Sequence, residues 1–330
     1  MQQTLPAMAD PTTAVTVAGL RAERRNLLIG GWGLSVMAVC SLPQAVTHDD
    51  WSYALPTIGF LLAVGHFYAL ASARWQRELP ALSTHPWRPV EAAVLRGPGL
   101  RPALVELTEG GASRVVAVRL GPGHAHVIRR TGRAWTVTRG TTTLLRVDGS
   151  HGVAGGRPAV PGPTRLDAPV DGDRFTAALL EARRLRSSIL RPLLLMVLAW
   201  AVFAFFARFG LIDRYVVQGA VFGSVLGLAA AFPQLRVVLP PDLGEWTWVS
   251  ATLDPWTARA DRTTAKGWVS LADGRHLRVS LLSTTPDFLG TVWEAGGFWV
   301  AGQPEPGRTY TAGFPDAPVA AAVRFSSVRK

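Results

Sequence analysis

Two long polar stretches of this 330-residue chain carry the same residues in the same order, and that repetition constrains its fold more than any other feature. Trp87, Val90, Ala92 and Val94 recur as Trp246, Val249, Ala251 and Leu253 at an offset of 159. Val105, Leu107, Glu109, Gly110, Arg114 and Val115 recur as Val269, Leu271, Asp273, Gly274, Arg278 and Val279 at an offset of 164. Ile128, Gly132 and Trp135 recur as Val292, Gly296 and Trp299 at that same offset. Shared order and shared offset imply two copies of one unit.

Within the first copy, short alternating stretches predict strands near Val90–Leu95, Ala103–Leu107, Arg114–Leu120, His126–Arg130 and Ala134–Thr138. Glu109-Gly110 and Asp273-Gly274 stand where a hairpin turn needs a positive φ, which glycine tolerates. Five or so strands suit a small barrel or rolled sheet of SH3-like or OB-like size. Gly149 to Pro163, rich in Gly and Pro, reads as a mobile loop inserted in copy one. Asp173 can cap a helix from Arg174 to Arg186 with Phe175, Leu179 and Leu180 on one side, expected to lie along a membrane surface.

Four runs without Asp, Glu, Lys or Arg flank these units: Asn26–Thr47, Trp51–Ala73, Pro192–Ala207 and Tyr215–Leu235. A membrane-spanning helix needs about 20 such residues at a rise of about 1.5 Å each. The third run holds only 16, so Arg191 and Arg208 are expected to snorkel and the helix to begin near Ser187. A re-entrant third segment is the alternative. The expected fold class is therefore membrane α+β, with four transmembrane helices in two hairpins, each followed by a small β-barrel or rolled β-sheet domain. Gly219, Gly223 and Gly227 recur every four residues and mark a face for close helix packing.

The layout divides as a tail over 1–25, a transmembrane hairpin over 26–73 and a β-domain over 74–173. A helix over 174–191, a second hairpin over 192–239 and a second β-domain over 240–330 complete it. Arg21, Arg24 and Arg25 precede the first run, and Arg183, Arg184, Arg186 and Arg191 lead into the third. The turn over 44–52 has no Arg or Lys. By the positive-inside rule, both termini and both β-domains are expected to be cytoplasmic, at a bacterial inner membrane. The chain thus reads as multi-pass.

His85-Pro86-Trp87 just after an expected helical hairpin, together with Gly297-Phe298-Trp299-Val300-Ala301-Gly302, resembles a set of uncharacterised integral membrane proteins of actinobacteria. That resemblance covers the whole layout and implies membrane location and a high-GC host; it supplies no activity. The signature is partial, because Gly244-Glu245 stands before Trp246 where copy one has His85-Pro86. Arg provides 32 of the 34 basic residues, a bias consistent with such a genome.

Residues 74–191 hold 19 Arg against 9 acids, whereas 236–330 hold 10 basic residues against 9 acids. The first β-domain is therefore expected to favour anionic lipid of the inner leaflet, through Arg183, Arg184, Arg186 and Arg191. No aromatic-basic interleaving of an RNA platform is legible, so nucleic acid is not an expected partner.

Candidate chemistry is sparse. Ser35 and His66 stand at similar depth in the first two runs and form the one intramembrane pair able to act as nucleophile and base; a hydrogen bond tying the hairpin is the plainer reading. His124, His126 and His151 lack the acidic or Cys companions of a metal site, so no metal is expected. Asp148-Gly149-Ser150-His151-Gly152 only superficially matches a nucleophile elbow, lacking its first glycine, and reads as a turn. Six of the twelve tryptophans fall in copy two. Trp248, Trp256, Trp268 and Trp293 have no counterpart in copy one and are the ligand-binding candidates, against structural packing.

No Walker loop, dinucleotide fingerprint, zinc spacing or carboxylate pair appears, and no cofactor is expected. The sequence supports a non-enzymatic membrane protein presenting two β-domains to a protein partner, a peptide or lipid. A membrane-bound enzyme or subunit acting on a lipid-linked or peptide substrate is the alternative. A channel or transporter component, which would require homo-oligomerisation, is the third reading.

Overall fold

A computed structural model describes residues 80–99, 101–160, 175–184, 245–256 and 263–327, together with scattered positions between 7 and 66. Barrel one comprises β1 (Arg88–Arg96), β2 (Ala103–Glu109), β3 (Ala112–Val118), α1 (Pro122–Thr131), β4 (Arg133–Arg139), β5 (Thr142–Arg146) and β6 (Ala154–Pro158). A helix over 176–184, α2, follows. Barrel two comprises β7 (Trp246–Leu253), β8 (Thr263–Ser270), β9 (His276–Thr284), α3 (Pro286–Ala295), β10 (Gly297–Ala301), β11 (Thr309–Gly313) and β12 (Ala320–Ser326).

Both barrels are closed, six-stranded and wholly antiparallel, and their strand orders coincide: β1-β2-β3-β6-β5-β4 and β7-β8-β9-β12-β11-β10. Each is two three-strand meanders joined by a helix. Closure removes the sheet edges that would otherwise invite pairing with another chain. Strand alternation sends one face inward, as in β8, whose buried and exposed residues alternate over its whole length. Val105, Leu107, Val116 and Ile128 fill barrel one, and Val249, Leu281, Phe288 and Phe298 fill barrel two.

This architecture corrects the expected fold class. No helix among the described residues is long and apolar enough to cross a membrane, so the expected transmembrane, multi-pass class gives way to two closed barrels with short helices. The four apolar runs lie outside the described residues, apart from scattered positions in the first two. An uncharged run has the length a span requires, but length alone does not specify one.

The repeat offsets can be read in the hydrogen bonds. Ala92 N–H donates to Gly132 C=O and Ala251 N–H to Gly296 C=O, at 2.8 and 2.9 Å. Helices α1 and α3 match throughout, from Pro122 and Pro286 to Gly132 and Gly296, each glycine closing its helix in the left-handed region. In the middle block the register differs from the expected one. Ala92 faces Leu107 while Ala251 faces Val269, so Leu107 corresponds to Val269 rather than Leu271. Similarly Val116, not Val115, corresponds to Val279. The turn after β8 is longer than the Gly110-Gly111 turn after β2, which absorbs the slip and leaves the inward faces inward.

Three local expectations are also corrected. His126–Arg130, expected as a strand, belongs to α1. The expected mobile loop Gly149–Pro163 contains β6, which closes barrel one by pairing with β3 and β5. The helix after Asp173 is α2, and it is wedged between the barrels: Ala177 joins the core of barrel one, while Ala182 packs on Ala320 and Ala322 of barrel two. Phe175 just before it stacks on Trp246 with centroids 4.1 Å apart.

N-terminal residues dock on barrel one as well. Ala7 N–H donates to His85 C=O, and Trp87 Nε1–H donates to Thr13 Oγ1. Trp87 is thereby sealed among Ala7, Val17, Leu82 and Leu144.

Candidate functional site

The seam between the barrels is built from matching pieces of the repeat. The loop after β5 meets α3, and the loop after β11 meets α1. Arg130 on α1 pairs with Asp316 of barrel two, and Glu294, at the equivalent place on α3, lies 3.3 Å from His151 Nε2 of barrel one. Gly149 and Ala317 approach where the two loops cross. Gly123 lies against Pro318, and its counterpart Asp287 lies against Gly152.

Asp287 is the central acceptor. Its carboxylate accepts hydrogen bonds from the Ser150 hydroxyl at 2.8 Å and from the backbone N–H of His151. Arg146 donates to the Ser150 carbonyl and to His151 Nδ1. A guanidinium only donates, so Nδ1 accepts and His151 Nε2–H is left to donate to Glu294.

On the other side of Ser150, His124 Nε2 is 3.2 Å from Oγ, and His124 Nδ1 is 3.2 Å from Glu181 Oε1. Serine, histidine and carboxylate therefore stand in the order of a nucleophile, base and orienting acid. Proton direction opposes that chemistry. The single hydroxyl proton of Ser150 goes to Asp287, and Oγ accepts from Gly152 N–H. Ser150 shows no surface to solvent. A nucleophile must reach a carbonyl carbon, and this oxygen is enclosed by the seam.

Glu181, on α2, also caps α1. Gly121, before Pro122, has no side chain to cap the helix start, and the first turn has no acid. Glu181 Oε1 accepts from Gly123 N–H, and Oε2 from Arg184. A Cβ at Gly121 would run into the carboxylate of Glu181 and the guanidinium of Arg184, so a larger residue here would force those side-chain ends to shift. Burial pushes the Glu181 carboxyl up, but the His124 hydrogen bond and the charges of His124 and Arg184 outweigh it and hold it below its ordinary value. His126, on the same helix, is pushed down by burial and by Arg130 and Arg129.

Beside this cap lies an open cleft of about 870 Å³. Its cations come from three parts of the chain: Arg101 between β1 and β2, Arg119 just after β3, and Arg183 and Arg184 at the end of α2. Pro98, Pro102, Leu120 and Leu180 supply apolar wall, and no carboxylate among the described residues lines it. Arg184 is tied to Glu181, whereas no carboxylate among the described residues lies within ion-pair distance of Arg101, Arg119 or Arg183. The sequence separates the first and last of these four arginines by more than 80 positions.

The expected site residues are distributed differently. Arg183 and Arg184 line the cleft, and Arg101 and Arg119 join them from loops that sequence reasoning passed over. Arg186, Arg191, Ser35, Gly219, Gly223 and Gly227 lie outside the described residues, and with Ser35 so does the expected Ser35–His66 pair. Trp248 packs edge-on against Trp299, and Trp256 packs on the core of barrel two. Trp268 and Trp293 are exposed at 41% and 68%. Arg278 lies 5.5 Å from the Trp268 ring centroid. His124 and His126 are on a helix rather than a strand, and no group of three potential metal ligands occurs among the described residues.

Compared with known proteins, the chain matches no family model, no curated protein and no solved structure.

Proposed function

We propose that this protein is a non-enzymatic binding module whose two barrels act as one platform and whose arginine-lined cleft engages an anionic partner. The cleft carries the reading: four arginines line one concavity, with no carboxylate among the described residues of its lining. Like charges gathered this closely repel, and an arriving anion relieves that repulsion while gaining charge-assisted hydrogen bonds. Arg183 and Arg184 are also the residues expected to meet anionic lipid, which makes a lipid surface the first partner to test.

Co-sedimentation of the full chain with phosphatidylglycerol–phosphatidylcholine vesicles tests the reading. Binding should exceed that to pure phosphatidylcholine, weaken steeply with added salt and fall in an Arg101→Ala/Arg183→Ala variant. Equal binding to both vesicles, or none, together with no binding of any small anion, would remove this proposal.

An enzymatic reading draws on the Ser150–His124–Glu181 order alone. Labelling by a fluorophosphonate separates the two: adduct formation at Ser150 would support hydrolase chemistry, and an unlabelled Ser150 in folded protein supports a structural role.

A further inference from the structure

We infer that the cleft is a selective site for a terminal phosphate, a phosphomonoester or diphosphate carried on a small molecule or a lipid headgroup. This rests on the anion-binding reading and goes further, from diffuse attraction to recognition of one group.

Three properties favour phosphate. The first is charge: four cations converge, of which only Arg184 has a carboxylate among the described residues. A phosphodiester or a single carboxylate brings one negative charge, whereas a phosphomonoester brings nearly two at neutral pH. The second is donor geometry. A guanidinium presents a planar fork matched to two oxygens of one phosphate, and the arginines that line this cleft come from the β1–β2 loop, the residue after β3 and α2. A tetrahedral group with three terminal oxygens can be held from several sides at once; a planar carboxylate cannot. The third is size. A concavity of about 870 Å³ with a wall of Pro98, Pro102, Leu120 and Leu180 has room for the carrier of the phosphate as well as the phosphate.

Comparison of the two copies adds a reason for the location. In barrel two the start of α3 is satisfied internally, by the Thr285 side chain accepting from Phe288 N–H, with Asp287 in the first turn. In barrel one the corresponding residues are Gly121 and Gly123, and among the described residues the carboxylate at the helix start is that of Glu181 from α2. At these two positions copy one carries no acid or side-chain cap of its own helix to compete with an incoming anion.

Isothermal titration of the full chain with phenyl phosphate, phenyl sulfate and benzoate provides the test, alongside vesicles of phosphatidic acid and of phosphatidylglycerol at matched surface charge. Phenyl phosphate should bind at least about tenfold tighter than phenyl sulfate or benzoate, and phosphatidic acid tighter than phosphatidylglycerol. Arg119→Ala and Arg183→Ala should each weaken phenyl phosphate about tenfold or more. Arg119→Lys, which keeps the charge and loses the fork, should recover only part of that. Thermal melts matching the parent confirm folding, since these side chains are exposed.

Binding of phosphatidic acid vesicles without phenyl phosphate would assign the phosphate to a lipid, and binding of both would show that the group alone suffices; either supports the inference. Equal affinity for phosphatidic acid and phosphatidylglycerol, with indifference to Arg119→Lys, would overturn it while leaving the anion-binding module standing. Absence of binding to every anion would overturn both.

Discussion

Gly123 and Asp287 hold the same position in their respective helices, yet one receives a carboxylate and the other supplies one. Gly123 N–H donates to Glu181 from α2, and a Cβ there would stand 2.4 Å from the Ala177 carbonyl. Asp287 extends across the seam to Ser150 and His151. A single divergence between the copies thus accommodates α2 on one side and fastens the barrels on the other.

Asp287→Ala should weaken the seam. It leaves the His151 N–H and the Ser150 hydroxyl without their acceptor, at a cost of about 2–4 kcal/mol for groups of this kind. Urea unfolding should show a lower midpoint, and Ser150→Ala, which leaves Gly152 N–H without its acceptor but keeps the bond of His151 N–H to Asp287, should shift it less.

Gly123→Ala should destabilise by about 1–3 kcal/mol, because the added methyl meets backbone rather than a yielding side chain. Gly99→Ala is the control, since nothing stands within 4 Å of that position. Thermal midpoints of the two variants make the comparison.

Acid should act through Glu181. Its carboxyl is held below the ordinary value in the folded protein, so its stabilisation is present above the unfolded value of about 4.3 and is lost as pH falls through the folded one. Glu181→Gln should be less stable than the parent at pH 7 and should lose less stability between pH 5 and pH 3. Urea midpoints across that range would show whether the two curves converge in acid.

The four tryptophans without counterparts should separate into two pairs. Trp248→Ala removes a ring packed on Trp299 and should cost about 3 kcal/mol. Trp293→Ala, at an exposed helix position, should stay within about 0.5 kcal/mol of the parent. Denaturation midpoints distinguish them directly.

The repeat was legible because the barrel cores recur residue by residue, as in Ile128 and Val292 or Trp135 and Trp299. Helix α1 was not, since Pro122-Gly123-His124-Ala125-His126 lacks a clear apolar stripe and is held by contacts from α2 and barrel two. Its punctuation was present, with proline at the first turn and Gly132 at the end, and the better-capped copy at Thr285-Pro286-Asp287 shows the same frame. The arginine cleft had no single local signature, because the β2–β3 register is what brings Arg101 toward Arg119 and packing of α2 is what adds Arg183. The uncharged runs drew the reading toward spanning helices, whereas the described structure is organised by the polar repeats between them.

The crossed contacts of Arg130 with Asp316 and Glu294 with His151 make the seam an intramolecular dimer with approximate two-fold symmetry. Contacts of that type are self-complementary: each copy uses its corresponding patch. The opposite charges at the two equivalent helix positions also choose the pairing. Two copies of barrel two joined this way would set Glu294 against Asp316, carboxylate on carboxylate, so mixed pairing is favoured over self-pairing. Carrying both halves on one chain then fixes their ratio at one to one and makes their association independent of concentration.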